Sequence, residues 1–169
     1  MNQEIKPADS LNEFEKDKLP SGINILTILT IIGSAFGLLS SLYSFFTAKK
    51  SYENMKTTMD SGKLDDAPKW AKGFMTPEML ELTRKMYENR LPILLLSLVA
   101  MGLCLYGALE MRKLKKQGYT FWLIGELLPI PTSILFIGMA SFSGLGLLAL
   151  LIPAVFIILY TVNKKYLVN

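Results

Sequence analysis

One carboxylate stands alone in the longest apolar run of the chain: from Gln117 to Asn163 the only charged residue is Glu126. It sits in Gly125-Glu126-Leu127-Leu128-Pro129-Ile130-Pro131. Each proline lacks an N–H, so in a helix the carbonyls of Gly125 and Leu127 lose their usual donors four residues on. Three acceptor groups are thereby expected at one depth. If the run crosses a bilayer, Glu126 lies about 9 Å inside it, where an ionised carboxylate is costly unless something pairs with it. A proton, a bound cation, water or a reaching Lys or Arg would relieve that cost. The expected form is the protonated acid. The chemistry is that of a proton- or cation-responsive node, with Pro129 and Pro131 breaking the helix and Thr30, Tyr106 and Tyr160 supplying hydroxyls at similar depth. The competing reading is structural, a carboxylate paired with Lys113, Lys115 or Lys116 near the interface.

Little other chemistry is available. The chain has no histidine and one cysteine, Cys104, inside an apolar segment. That composition excludes an intrachain disulfide, a zinc or iron–sulfur site built from one chain, and any nucleophile activated by histidine. Cys104 is expected to pack as a small residue, because apolar burial suppresses the thiolate. No cofactor, no metal and no catalytic residue is expected.

The elements that must position Glu126 follow from the charge pattern. As one helix, 117–163 would extend roughly 70 Å, over twice the hydrocarbon thickness of a bilayer, so it must be two spans. Gly and Ser cluster at Ser141-Phe142-Ser143-Gly144-Leu145-Gly146, where a turn is expected. Two further uncharged segments, Ile23–Ala48 and Leu91–Leu109, are long enough to cross. The first is expected to be retained rather than cleaved, since small residues do not flank a cleavage point. The expected fold is all-α: an integral membrane four-helix bundle whose spans one and two extend into an extramembrane helical hairpin. Its parts are a cytoplasmic amphipathic segment at 1–22, span one at 23–48, an extracytoplasmic hairpin at 49–90, span two at 91–110, a basic cytoplasmic loop at 111–119, span three at 120–141, span four at 145–163 and a cytoplasmic tail at 164–169.

Near the span ends, nine basic residues on the side of the termini oppose six on the side of the long loop, which places both termini in the cytoplasm. The net charge of +4 is therefore read as topology and contact with membrane lipid, not as nucleic-acid binding. Ser10-Leu11-Asn12-Glu13 fits a capping box opening the amphipathic segment. Thr76-Pro77-Glu78 reads as a helix start after the hairpin tip, where Trp70 and Phe74 are candidates for binding a partner. Tyr119, Phe121, Trp122, Tyr160 and Tyr166 are expected to form an interfacial aromatic belt. Gly33, Gly37 and Ser41 make a small-residue ridge on span one that matches Ala100, Cys104 and Ala108 on span two, so close packing of these two helices is expected, with homodimerisation the alternative.

The segment from Met111 through Lys116 to Tyr119, continuing to Trp122, Gly125-Glu126 and Pro129, resembles the second loop and third span of small four-helix bacterial membrane proteins that carry no assigned activity. It covers about a fifth of the chain. The resemblance implies a bacterial inner membrane and no reaction. The expected function is a non-enzymatic structural or regulatory subunit, with a protein partner or a second copy. The alternative is a small proton-coupled transporter or channel centred on Glu126.

Overall fold

The computed structural model describes residues 19–61, 73, 75–142, 145–148 and 150–168. The N-terminal capping box and amphipathic segment, Trp70 and Phe74 of the hairpin tip, and Ser143-Gly144 of the last turn lie outside the described residues. All regular structure among the described residues is helical. Four helices are long and apolar enough to cross a membrane: Ser21–Asp60, Arg90–Arg112, Lys116–Phe136 and Gly146–Tyr166.

The first helix, α1 (Ser21–Asp60), runs 40 residues without a breaker, about 60 Å, so its second half continues well past one bilayer thickness. Its partner α2 (Pro77–Glu88) starts as its residue types dictate. The Thr76 hydroxyl accepts the Met79 N–H at 3.2 Å, Pro77 needs no donor in the first turn, and Glu78 faces the positive end of the dipole. Arg84 then bridges Glu81 at 2.8 Å and Glu88 at 3.3 Å. Against the α1 extension, the Tyr52 and Tyr87 rings stack at 6.0 Å, and the Thr83 hydroxyl meets Met55 Sδ at 3.6 Å.

At Asn89 the chain bends into α3 (Arg90–Arg112). Pro92 supplies the cause, because it cannot donate to the Glu88 carbonyl. The Asn89 side-chain amide ties the bend to its surroundings, donating to the carbonyls of Lys85 at 3.0 Å and Phe136 at 3.1 Å. The far end of α3 closes in a Schellman arrangement: Lys115 N–H reaches the Glu110 carbonyl at 3.1 Å, and Leu114 N–H reaches that of Met111 at 2.9 Å. Leu114 occupies the left-handed position at φ +58°, where glycine is usual. The loop expected over 111–119 is therefore only Lys113–Lys115, and α4 (Lys116–Leu127) begins at once.

The expected span three at 120–141 is corrected to Lys116–Phe136, in two pieces: α4 and α5 (Pro129–Phe136). The step between them at Leu128 puts Pro129 and Pro131 in the first turn of α5, where a missing donor disturbs least. α5 ends at Gly138, whose φ of +108° suits glycine alone. A 3₁₀ turn (Met139–Phe142) and a single turn, α6 (Leu145–Leu148), lead into α7 (Leu151–Asn163) and a last 3₁₀ turn (Lys164–Tyr166). The tail then returns to the α3–α4 connection, with Val168 N–H bonding the Leu114 carbonyl at 2.9 Å and Leu167 buried.

The tightest seam joins α3 and α4. A Cβ placed on Gly107 would lie 2.5 Å from the Trp122 backbone nitrogen, and one on Gly118 would lie 2.6 Å from that of Met111. On Gly125 it would lie 2.6 Å from the Ala100 carbonyl oxygen. Ala100 and Cys104 are buried against Gly125 in this seam, and Ala108 is buried as well. Part of the small face of α3 thus meets α4, and α3 packs along α1 as well, where Arg112 Nη1 donates to Asn24 Oδ1 at 2.9 Å and Thr27 Oγ1 at 3.2 Å. On α1, Gly37 packs on Met101 and nothing lies within 4 Å of a Cβ built on Gly33. The α3–α4 seam is the tighter one because two glycines on α4 let its backbone approach more closely than anything on α1 can.

The aromatic belt is also corrected. Tyr119, Trp122 and Tyr160 are buried in the core with Ile23, Leu26 and Met111 rather than turned to an interface. Trp122 lies 4.2 Å from the Tyr160 ring and 5.9 Å from that of Tyr119. Spacing explains this: Gly118, Trp122 and Gly125 share one face of α4, and that face meets α3. Phe121 lies away from this core, edge-on to Tyr106, and Tyr166 is exposed.

Candidate functional site

Beside the tight seam the packing opens into a cavity of about 200 Å³. It is bounded by Thr30, Gly33 and Ser34 of α1, Met101 and Cys104 of α3, Glu126 of α4 and Phe156 of α7. All four long apolar helices therefore contribute. Gly125 presses against Cys104, and the next residue on α4 swings its carboxyl to the cavity beside the thiol. Cys104 Sγ lies 3.8 Å from both Glu126 Oε2 and the Trp122 carbonyl, so the single thiol proton serves one acceptor at a time.

The cavity wall on the α1–α7 side is fixed by a hydroxyl pair. Thr30 Oγ1 and the Tyr160 hydroxyl are 2.8 Å apart, and both residues are buried. Ser34, one turn beyond Thr30, is buried and lines the same space. Glu126, Thr30 and Tyr160 of the expected node are thus brought together.

The remaining members are not. Tyr106 is 48% exposed, with its ring 5.1 Å from Phe121, and faces away from the cavity. It is two residues from Cys104, about 200° around the helix, so the two cannot share a face. Pro129 lines a separate cavity of about 60 Å³ with Ser97 and Thr132, and Pro131 is exposed. The prolines break the helix next to Glu126 without joining its site.

The expected lysine partners are corrected as well. Lys113 and Lys115 each place Nζ 2.7 Å from a different oxygen of Glu110, and Gln117 donates to that carboxylate at 3.2 Å. Glu110 has 5% of its side chain exposed. Held there, its charge keeps the Lys113 ammonium above its ordinary pKa through a direct hydrogen bond. The lysines fold back on their own turn because Glu110 is only three to five residues away, whereas Glu126 lies deeper. No ion pair to Glu126 occurs among the described residues, and its one side-chain partner there is the Cys104 thiol.

Of the residues at this site, Cys104 and Ser34 carry no sequence signal for it. Cys104 reads as a packing residue and is that too, facing Gly125 and the carboxyl at once. Trp122 is fully buried against Tyr160, and among the described residues its Nε1 is the one buried side-chain nitrogen or oxygen without a hydrogen-bond partner. Comparison with known proteins adds nothing to this geometry: no family model, curated protein or solved structure matches the chain.

Proposed function

We propose that this is a multi-pass protein of a bacterial inner membrane, with both termini cytoplasmic and no catalytic machinery of its own, that works as a small proton-coupled carrier or channel through Glu126. One observation carries this reading. A carboxyl within a helix apolar enough to span opens on a cavity shared by four helices and has no basic side chain beside it among the described residues. A structural ion pair would be spent on its lysine; this group is left available for exchange. As the neutral acid it suits the apolar surroundings. A small monovalent cation entering the cavity would replace the proton and find the carboxylate with the hydroxyl oxygens of Thr30 and Ser34 around it.

The test is ion movement in liposomes that hold the purified protein. Wild type is expected to release protons when a cation gradient is imposed, and Glu126→Gln, which keeps the shape of the side chain, is expected to abolish the release. Equal flux from both proteins would overturn the proposal.

A second reading, a structural or regulatory subunit docking a partner protein or a second copy, is favoured by the exposed Met79 and Glu78 on the hairpin helix, which serve no site described above. Co-purification in mild detergent tests it. A stoichiometric partner lost on Trp70→Ala or Phe74→Ala supports it, and isolated protein that shows cation-dependent proton release argues against it.

A further inference from the structure

A second cavity lies between α1 and the start of α3, at the opposite end of α3 from the Glu110 turn. It measures about 160 Å³ and is lined by Arg90 together with Ser40, Ser41, Ser44 and Ser97. Several threonine hydroxyls of the helices are satisfied by the carbonyl one turn back: Thr27, Thr47, Thr58, Thr83, Thr132 and Thr161 bond this way. Within the cavity only Ser41 does so, to Gly37 at 2.8 Å. Ser40, Ser44 and Ser97 make no hydrogen bond to the protein among the described residues. Three hydroxyls converge unfilled.

The cation beside them is equally uncommitted. Arg90 forms no ion pair with any carboxylate among the described residues, although Arg84, six residues earlier, holds two. Its guanidinium is instead positioned by rings, 4.6 Å from the Tyr87 centroid and 5.8 Å from that of Phe45, with Nη1 donating to the Tyr87 carbonyl at 3.3 Å. Ring faces hold the plane of an arginine and leave most of its N–H edge free for an anion. A fixed guanidinium with unfilled hydroxyls is donor chemistry that fits a phosphate.

Location selects the source of that phosphate. Arg90 opens a helix apolar enough to span a membrane, and Ser40–Ser44 lie about one bilayer thickness along α1 from its start. The cavity therefore reaches from Arg90 at the end of the expected span to about 10 Å inside it, the depth over which a headgroup gives way to acyl chain. Its remaining wall is apolar, with Phe45, Ile93 and Leu94, as the first carbons of an acyl chain require. We propose that this pocket binds the phosphate of an anionic phospholipid, with Arg90 pairing the charge and Ser40, Ser44 and Ser97 donating to the phosphate oxygens. The proposal is independent of the role assigned to Glu126.

The experiment is native mass spectrometry of the full chain released from nanodiscs of phosphatidylcholine containing a minority of phosphatidylglycerol. Wild type is expected to retain one phosphatidylglycerol in preference to phosphatidylcholine. Arg90→Ala is expected to lower that retention about tenfold. Ser44→Leu, which fills the pocket from a lipid-facing position and leaves every charge in place, is expected to do the same while the helical circular dichroism stays that of wild type. Equal retention of the two lipids by wild type would overturn the proposal, as would unchanged retention in Ser44→Leu. Displacement of the bound lipid by millimolar inorganic phosphate would assign the pocket to a free anion and overturn the lipid source.

Discussion

Two seams of the same helix α3 differ in kind. Toward α4 it packs backbone on backbone, with no room for a methyl group at Gly107, Gly118 or Gly125. Toward α1 it packs through longer side chains such as Met101, and the cavities beside Glu126 and beside Arg90 both lie along this looser side. In lipid no hydrophobic force drives helices together, so close approach and its dispersion gain go to the pair that presents glycine. The α3–α4 pair is the frame. What α1 and α7 add around it is space lined with polar atoms.

Adding one methyl to each side tests this contrast most strongly. Gly125→Ala is expected to destabilise the fold by about 1–3 kcal/mol, because its Cβ would meet the Ala100 carbonyl oxygen and the Cys104 nitrogen, which are backbone and cannot swing aside. Gly33→Ala meets nothing within 4 Å and is expected to stabilise by up to about 1 kcal/mol through helix propensity. Denaturant titration of the two variants in detergent measures both, and equal effects would break the distinction.

A smaller effect reports on the turn that ties the frame together. In a helix interior alanine is better than glycine, but Leu114 is left-handed, so Leu114→Gly is expected to be more stable than Leu114→Ala by about 1 kcal/mol. The opposite order in the same titration would show that the turn is not closed as described.

The smallest effect belongs to the hairpin, outside both seams. Hydrogen bonding to Arg84 holds the Glu81 carboxyl below its ordinary 4.5. A lowered folded value means that the contribution is fully present above the unfolded value and is lost as pH falls through the folded one. Hydrogen exchange of α2 is therefore expected to quicken in acid, relative to α3, below about pH 4.5, and Glu81→Gln is expected to flatten that dependence. Identical pH profiles would mean that the exposed pair contributes nothing.

The four long apolar helices were legible because long uncharged runs have few other fates, and the start of α2 was legible because Thr76-Pro77-Glu78 carries its own capping chemistry. The turn after α3 was not. A Leu in a left-handed position has no sequence signal, so nine residues were expected where three suffice. The glycines at Gly118 and Gly125, seven apart on α4, passed without notice although they make the tightest seam, because small residues announce close packing without naming the partner. At the site, Glu126 was visible as a lone charge. The adjacency of Cys104 depends on which face of α3 meets α4, a tertiary fact. The exclusion of Tyr106 could have been read from helical spacing alone, since Cys104 and Tyr106 lie on opposite faces.

Glu126 faces the loose side of the frame, with no basic partner among the described residues. Infrared difference spectroscopy of the protein in nanodiscs at neutral pH, wild type minus Glu126→Gln, tests it most directly. The expected spectrum shows the carbonyl band of a protonated carboxylic acid, lost in the variant and unmoved by Lys113→Ala or Lys115→Ala, whose ammonium groups belong to Glu110. Carboxylate bands in place of that signal, shifting when either lysine is removed, would show an ion pair at Glu126 and contradict the account.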